Sequence, residues 1–335
     1  FHMMEIDAFL KNCQSGMRIE YSLSKILQLL VYCRLLFPDS KIKAFEKKDV
    51  FFEKFDFSLD DVYRSLSVFS DIKDRLQAHL YGKAREKHGA SPHILYYDVT
   101  NYYFELDSED DLRKRGVSKE HRPEPIIQMG LFMDDRGLPV TYDLFEGNTH
   151  DSQTFTPMSE RVRSQLDMQH IIFVADKAMM SGGNVAEVIT NHNGYIFSKS
   201  VRGGTEVLKN TVRDPGGYTR FDAAGKELPP LDAETPVAFM YKVLDEVKDT
   251  YVRDADGRRS AVKGGGHLQI IYWSAKYAAR AKVDRQAAVE KALASSHSRS
   301  RDVIDNNYGK NKYLKTQVYD KKTKQEVDDY EAKVV

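Results

Sequence analysis

Residues 93–105 read HILYYDVTNYYFE. The apolar and aromatic run at residues 94–97 follows turn-forming residues and predicts a buried β-strand that ends at Asp98. A carboxylate carried into the interior on such a strand is costly unless it is paired, hydrogen-bonded or bound to a metal. The position of Asp98 therefore needs a structural or functional explanation.

A second stretch repeats this pattern. Residues 171–175 read IIFVA, again an apolar run, and Asp176 follows directly. Either aspartate alone is more commonly a turn residue or a helix cap than a catalytic group. If the two strands are neighbours in a sheet, however, the two carboxylates lie side by side, and hard oxygen ligands of this kind suit Mg²⁺ or Mn²⁺. The pair indicates metal-assisted phosphoryl transfer.

The overall composition excludes a membrane-spanning protein and a strongly basic one. The 335 residues are 41% hydrophobic and 30% charged, and no run approaches the ~18 consecutive apolar residues of a transmembrane helix. The 50 basic and 50 acidic residues give a net charge of zero. Any affinity for nucleic acid must therefore come from local patches.

Cysteine content and the first residues indicate an intracellular protein. The two cysteines, Cys13 and Cys33, are too few for a disulfide scaffold or a cysteine-rich zinc site. The start, residues 1–4, lacks the charged and apolar regions of a signal peptide. We therefore expect a protein of the reducing cytoplasm.

Two helices are predicted in residues 1–90, which we interpret as an N-terminal helical region that could bind DNA. Apolar residues at helical spacing over residues 17–37 predict the first helix, which Pro38 ends. A capping-box-like start at residues 58–61 predicts a second long helix that continues to Gly89. Its basic residues could face phosphate or form a solvated surface; they are Lys73, Arg75, Lys83, Arg85 and Lys87.

The order of elements after Asp98 predicts the fold of residues 91–201. The predicted elements are strands at 126–134 and 138–147, a helix from Asp151, the strand before Asp176, a helix near 184–192 and a strand at 195–201. Three antiparallel strands followed by helix-linked parallel strands is the order of the ribonuclease H-like fold, an α/β fold with a mixed sheet. Its first and fourth strands are adjacent, which would bring Asp98 beside Asp176.

A mostly β insertion domain is predicted for residues 202–335, because glycines and strand-like runs dominate there. It contains one predicted helix, which starts at Ser274 and is rich in alanine to Ala294. The face of this helix is net basic. A hairpin about residues 320–324 is predicted in the tail.

Five segments carry a family resemblance. They are YYDVTNYYFE around Asp98, LPVTYDLFEGNTHDSQTF from Leu138, VADKAMMSGGN around Asp176, RLLFPDSKIKAF from Arg34, and IIYWSAKYAARAKVDRQAAVEKAL from Ile270. In their order and spacing they resemble bacterial insertion-sequence transposases of the DDE type, specifically the insertion-sequence-four superfamily. The resemblance covers nearly the whole chain.

The resemblance implies that Asp98 and Asp176 are the first two acids of a DDE triad and the metal ligands. The third acid of the family is a glutamate on a helix after the β insertion, within a tyrosine, arginine, glutamate and lysine pattern that this sequence lacks. Glu290 lies in an ordinary alanine-rich helix, and Glu331 has Tyr330 before it but not the rest of the pattern. We expect the sequence to end just short of the catalytic helix and this chain to be inactive.

The implied function is transposition of DNA with Mg²⁺ or Mn²⁺, two ions in the complete enzyme. The implied partners are double-stranded DNA, at transposon ends and target, and a second copy in a homodimer, inside a bacterial cell. Candidate DNA contacts are Lys177, Lys73, Arg75, Lys83, Arg85, Lys276, Arg280 and Lys282. His150 is expected to serve a loop or cap, since metal-assisted phosphoryl transfer needs no histidine base.

Two other functions stay open. A structure-selective nuclease can have the same fold, because fold alone does not determine function. A truncated transposase that only binds DNA, as a regulator, is the alternative without catalysis, and the absent glutamate favours it.

Overall fold

The computed structural model describes residues 1–89, 93–117, 123–166, 168–229, 234–244, 251–253, 258–262, 267–296 and 313. By packing, the chain divides into two units: Phe1–Gly203 with Lys248–Gly266, and Gly204–Val247 with His267–Val335. The helices before residue 90 thus belong to the same unit as the sheet. Within the described residues, no helix combines the length and apolar character needed to cross a membrane.

Within residues 1–89, five α-helices precede the first strand. They are α1 (Ile6–Gln14), α2 (Leu23–Leu36), α3 (Lys41–Glu46), α4 (Leu59–Asp71) and α5 (Lys73–His88). The capping box predicted at residues 58–61 is confirmed: the Asp61 N–H donates to Ser58 Oγ at 3.2 Å, and the Ser58 N–H donates to Asp61 Oδ2 at 2.8 Å. The helix predicted from residue 17 begins later, at Leu23, where the Ser22 side chain caps it.

The prediction of one long helix to Gly89 was wrong, because the helix breaks at Ile72 between α4 and α5. Ile72 is only 2% exposed and packs in a buried cluster with Leu10 and Cys13 of α1. Neither glycine nor proline marks this break. A tertiary contact with α1 accompanies the break.

The central sheet has five strands. They are β1 (Ile94–Tyr103), β2 (Ile126–Met133), β3 (Pro139–Glu146), β4 (Ile172–Ala175) and β5 (Gly194–Phe197), in the order β3-β2-β1-β4-β5. Helix α6 (Asp151–Leu166) connects β3 to β4, and α7 (Gly182–Thr190) connects β4 to β5. Strand β2 is antiparallel to β1 and β3, while β4 is parallel to β1 and β5. This is the ribonuclease H-like fold, as predicted.

One face of β1 packs in the core and the other is open. Leu95, Tyr97 and Val99 are buried, whereas the residues that alternate with them are largely exposed. The core beneath that face is aromatic, with Phe155 of α6 making edge-to-face contacts with Phe132 of β2 and other rings. Helix α5 joins the same side, because Gln77 Oε1 accepts hydrogen bonds from Thr141 Oγ1 and the Tyr142 N–H.

The second unit contains α8 (Glu206–Arg213), β6 (Thr219–Phe221), β7 (Glu227–Leu228), β8 (Phe239–Leu244), β11 (Gln269–Ser274) and α9 (Ala275–Ser296). Its four strands pair in the order β11-β8-β6-β7, which agrees with the predicted β character. The prediction of a single helix was wrong, since α8 is a second one, capped by Thr205. The hairpin predicted at residues 320–324 lies outside the described residues.

The two strands between β8 and β11 in chain order belong to the first unit. They are β9 (Tyr251–Arg253) and β10 (Arg259–Ala261), which pair with each other in a separate two-stranded sheet. The insertion domain predicted for residues 202–335 includes this segment.

Candidate active site

The two aspartates follow directly on paired residues of adjacent parallel strands. The ladder between β1 and β4 ends at the pair Tyr97 and Ala175, so the next position on each strand is Asp98 and Asp176. Neighbouring strands lie about 4.8 Å apart, and residues two apart share a face. Asp98 therefore lies on the face of Tyr96, and Asp176 on the same face as Val174. The predicted adjacency of the two strands is confirmed.

The sequence predicted that Asp98 is carried into the interior at the end of its strand. Both parts of that prediction were wrong. Strand β1 continues to Tyr103 because it pairs with β2 beyond the point where β4 stops. Asp98 lies on the open face and is exposed. Its Oδ1 accepts the N–H of Val99 at 2.8 Å. Because this carboxylate is exposed, a cation can reach it from solvent.

Asp176 caps the short 3-10 helix Lys177–Met179. Its Oδ1 accepts the Ala178 N–H at 2.8 Å, so the cap role expected of an isolated aspartate is present here. The loop that follows is held by Asn184 of α7, which donates its side-chain amide to the carbonyls of Met179 at 3.0 Å and Ser152 at 2.9 Å. Asp176 is thus exposed on a well-connected segment.

A buried hydroxyl pair lies next to the site on the core side. Tyr97 donates to Thr154 Oγ1 at 2.6 Å, and burial raises the pKa of the Tyr97 hydroxyl well above its usual value. Gly130 of β2 leaves room for this ring, because a Cβ there would collide with the Tyr97 hydroxyl. The tyrosine therefore remains a hydrogen-bond donor. No sequence motif indicated this pair.

The loop before α6 is the part of the family segment that includes Gly147 and His150. A Cβ on Gly147 would collide with the carbonyl oxygens of Ile126 and Lys114, so this position requires glycine for close approach of the backbone. The His150 N–H donates to Gln153 Oε1 at 3.3 Å, and the His150 carbonyl accepts the Gln153 N–H at 2.8 Å. His150 thus directly precedes α6, in agreement with the loop or cap role expected for it.

Neither of the two acids considered for a third ligand is among the described residues of the first unit. Glu290 lies on α9 of the second unit, where its Oε1 accepts the Gln286 side-chain amide at 3.4 Å, and Glu331 lies outside the described residues. Among the residues that the structure describes, no group of three or more histidines, cysteines or acids is arranged to hold a metal.

The two lysines proposed on α5 are engaged within the molecule. Lys73 forms an ion pair with Asp143 of β3. Lys83 contacts Glu5 and Glu86, each at 2.8 Å, and its side chain is largely covered. Lys73 thus connects α5 to β3, and Lys83 connects α5 to the N-terminal segment through Glu5. The local sequence did not indicate these contacts.

The arginines of α5 lie over aromatic rings. The Arg75 guanidinium is 5.9 Å from the centre of the Phe9 ring, and that of Arg85 is 5.8 Å from the centre of the Tyr81 ring. Both arginines are nevertheless exposed. The other proposed DNA contacts are exposed as well, and they are Lys177, Lys276, Arg280 and Lys282.

Comparison with known proteins identifies a domain in the middle of the chain. Residues 106–262 match the family model described as “Transposase DDE domain”. This DDE domain match covers just under half of the chain; it contains Asp176 and begins shortly after Asp98. Among curated protein sequences, none matches.

Solved structures similar to this chain include transposase complexes and a viral intasome. The Mos1 transposase paired-end complex is 12% identical over 56% of this chain and 65% of that chain, with a TM-score of 0.23. The piggyBac transposase synaptic complex with hairpin DNA is 8% identical over 78% and 57%, with a TM-score of 0.37. The simian T-cell lymphotropic virus intasome is 10% identical over 58% and 89%, with a TM-score of 0.23.

The chain spans less than two thirds of the length of both transposase chains. Likeness at TM-scores this low identifies neither an activity nor a substrate, so the DDE domain match remains the informative comparison.

Proposed function

We propose that this chain is a DDE-type DNA transposase whose Asp98 and Asp176 bind a divalent metal ion, Mg²⁺ or Mn²⁺. The observation that carries the proposal is the register of β1 and β4, which ends at Tyr97 and Ala175 and continues into the two aspartates. The match of residues 106–262 to the transposase DDE domain supports the same reaction class.

The residues present fit such an ion. Two carboxylates on neighbouring strands offer hard oxygen donors on one face of the sheet, and both side chains are exposed. Mg²⁺ is commonly held by one or two carboxylates together with substrate phosphates rather than by a full protein cage. Asp98 and Asp176 would supply the protein ligands, and a DNA phosphate would complete the site.

The chemistry of the proposal is in-line displacement at phosphorus. Water cleaves at the transposon ends, and the freed 3′-hydroxyl then attacks target DNA. When bound, the metal ion stabilises negative charge on the phosphoryl oxygens. The protein contributes positioning: β1 holds Asp98 between two strands, the Ala178 N–H fixes the Asp176 carboxylate, and exposed Lys177 can attract a neighbouring phosphate.

Three finer elements belong to the proposal. They are membership of the insertion-sequence-four superfamily in a bacterium, action as a homodimer in the cytoplasm, and a second metal ion that requires a third acid. Because the family's glutamate pattern is missing from this sequence, inactivity of this chain stays a prediction.

The metal proposal is tested by titration calorimetry with Mn²⁺. We expect weak binding by the parent, loss of binding in Asp98→Asn and Asp176→Asn, and unchanged binding in Glu146→Gln. Glu146 is a matched control, since it is an exposed acid at the end of β3 in the same sheet. Equal binding by the parent and Asp98→Asn would exclude the proposed ligand role.

The reaction is tested by incubating the chain with Mn²⁺ and duplexes that carry the ends of the element, with Asp98→Ala as control. Joining of ends to target DNA indicates a transposase, whereas hydrolysis alone indicates a nuclease of the same fold. Binding without cleavage agrees with the predicted inactivity and with a regulatory DNA-binding role. Nicking by the parent that is absent from Asp98→Ala would show that the prediction of inactivity is wrong.

A further inference from the structure

The pair β9 and β10 is too small to be stable without a partner. Its ladder has three pairs, with Ser260 opposite Val252 at the centre, and it joins neither of the two larger sheets. An isolated two-stranded hairpin is marginally stable at best in water. In the first unit, β9 packs against α7, and this contact supplies the missing support.

The contact depends on a glycine at the start of α7. A Cβ on Gly182 would lie 2.5 Å from the carbonyl oxygen of Tyr251 and 3.6 Å from its carbonyl carbon. Gly182 does not have the positive φ that would by itself require glycine. The close approach of the Tyr251 main chain is a reason for a residue without a side chain at this position. Its neighbour Gly183 has no such atom within 4 Å.

The same end of α7 is connected to Asp176 by five residues that are held by local hydrogen bonds. The N–H groups of Met179, Met180 and Ser181 donate to carbonyls within the segment. Asn184 is only 4% exposed and holds this segment to α6. Two contacts therefore support the residues between Asp176 and α7, the hydrogen bonds of Asn184 and the packing of the hairpin on Gly182.

We propose that the hairpin of β9 and β10 is a brace that positions the Asp176 segment. Tyr251 and Gly182 act as positioning residues, because their main-chain contact fixes the first turn of α7 and, through it, residues 177–181. The expected effect of the brace on metal binding rests on the proposed role of Asp176 as a metal ligand. The expected effect of the brace on the backbone of residues 177–181 does not depend on that role.

The test compares Gly182→Ala with Gly183→Ala. Both changes add one methyl group to the first turn of the same helix, but only the first meets the hairpin. Measured by hydrogen–deuterium exchange, the amides of residues 251–253 and 177–181 should exchange at least about tenfold faster in Gly182→Ala. In Gly183→Ala they should match the parent. The buried amides of β1 provide an internal reference for global unfolding.

A second variant approaches the brace from the hairpin. Proline is poorly tolerated within a strand pair, so Ser260→Pro should break the hairpin and speed exchange at residues 177–181 without any change in α7. Unchanged exchange at residues 177–181 in both variants would overturn the proposal, even if β9 itself were released.

Mn²⁺ binding provides the functional measurement. We expect Gly182→Ala and Ser260→Pro to bind Mn²⁺ more weakly than the parent, and Gly183→Ala to bind equally. Unchanged binding in both disrupted variants would show that the brace does not position Asp176. If the parent itself binds no Mn²⁺, the metal proposal fails, and exchange at residues 177–181 still decides whether the hairpin positions that segment.

Discussion

The hydroxyl of Tyr97 donates a hydrogen bond to Oγ1 of Thr154 at 2.6 Å. This bond links the central strand β1 to the first turn of α6. Tyr97 is the residue directly before Asp98 in β1. Thr154 is itself fully buried, and its hydroxyl donates to the carbonyl of Asp151 at 2.7 Å. The pair thus forms a short chain of buried hydrogen bonds beneath the candidate site.

We expect Tyr97→Phe to lower the free energy of unfolding by about 1 kcal/mol, because Thr154 loses its buried donor while the ring volume is kept. Urea unfolding followed by circular dichroism measures the change. The control is Tyr96→Phe, since Tyr96 is 42% exposed on the other face of the same strand. Its effect should stay within about 0.5 kcal/mol. Equal losses in the two variants would contradict a specific role for the bond to Thr154.

A second prediction concerns Arg161, which forms ion pairs with Asp143 of β3 and Asp74 of α5. Its side chain is largely covered, so Arg161→Met leaves two partly buried carboxylates with fewer partners. We expect a loss of about 2 kcal/mol in the free energy of unfolding, between the values for surface and fully buried pairs.

The control for Arg161 lies on the same helix. Arg163 contacts Glu187 at 3.2 Å and is more exposed, so Arg163→Met should cost less than about 1 kcal/mol. A cost for Arg161→Met no larger than that for Arg163→Met would refute the importance of the pairs with β3 and α5.

The third prediction is a pH dependence at Asp143. Burial raises the pKa of this carboxyl, but the hydrogen bonds from Lys73 and the Leu144 N–H and the charge of Arg161 outweigh burial, so the pKa is held below its usual value. Because the pKa of Asp143 is lower in the folded than in the unfolded protein, its ionised carboxylate stabilises the fold. This stabilisation is fully present when the pH is above the unfolded pKa of about 3.9, and it is lost as the pH falls through the folded pKa.

The measurement is urea unfolding of the parent and Asp143→Asn across a pH series. The stability difference between them should be constant above about pH 5 and shrink below about pH 4. Asp135→Asn is the control, in the exposed turn between β2 and β3, and should differ little from the parent at every pH. A difference between the parent and Asp143→Asn that grew on acidification would have the wrong sign for this account.

A fourth prediction separates the basic residues that are free to meet DNA from those that are engaged. Each neutralised phosphate releases about 0.9 counterions, which adds about −0.9 to the slope of log affinity against log salt concentration. If Arg280 on exposed α9 neutralises one phosphate of the duplex, Arg280→Ala should make that slope shallower by about 0.9. Lys83→Ala should leave the slope unchanged, because Lys83 is held by Glu5 and Glu86. Affinities measured by fluorescence anisotropy at several salt concentrations provide both slopes. A shallower slope in Lys83→Ala alone would reverse this assignment.

Patterns within a few residues were enough to predict much of the fold. The capping box of Ser58 and Asp61 spans three residues, and the alternation and turn of β2 and β3 are equally local, so composition and spacing predict them. The strand order followed from the sequence of elements, and with it the adjacency of the strands that carry Asp98 and Asp176. Local patterns could not reveal that Asp98 is exposed, since that depends on which face of β1 the helices cover.

Features that depend on residues far apart in the chain appeared only in the tertiary structure. Lys73 meets Asp143 across 70 residues, and Tyr251 meets Gly182 across a similar interval, so neither pairing leaves a periodic signal. The helix break at Ile72 likewise accompanies packing on α1. Short-range hydrogen bonding and periodic burial are encoded locally, whereas the pairing of charges and the close approach of backbones depend on how the whole chain packs.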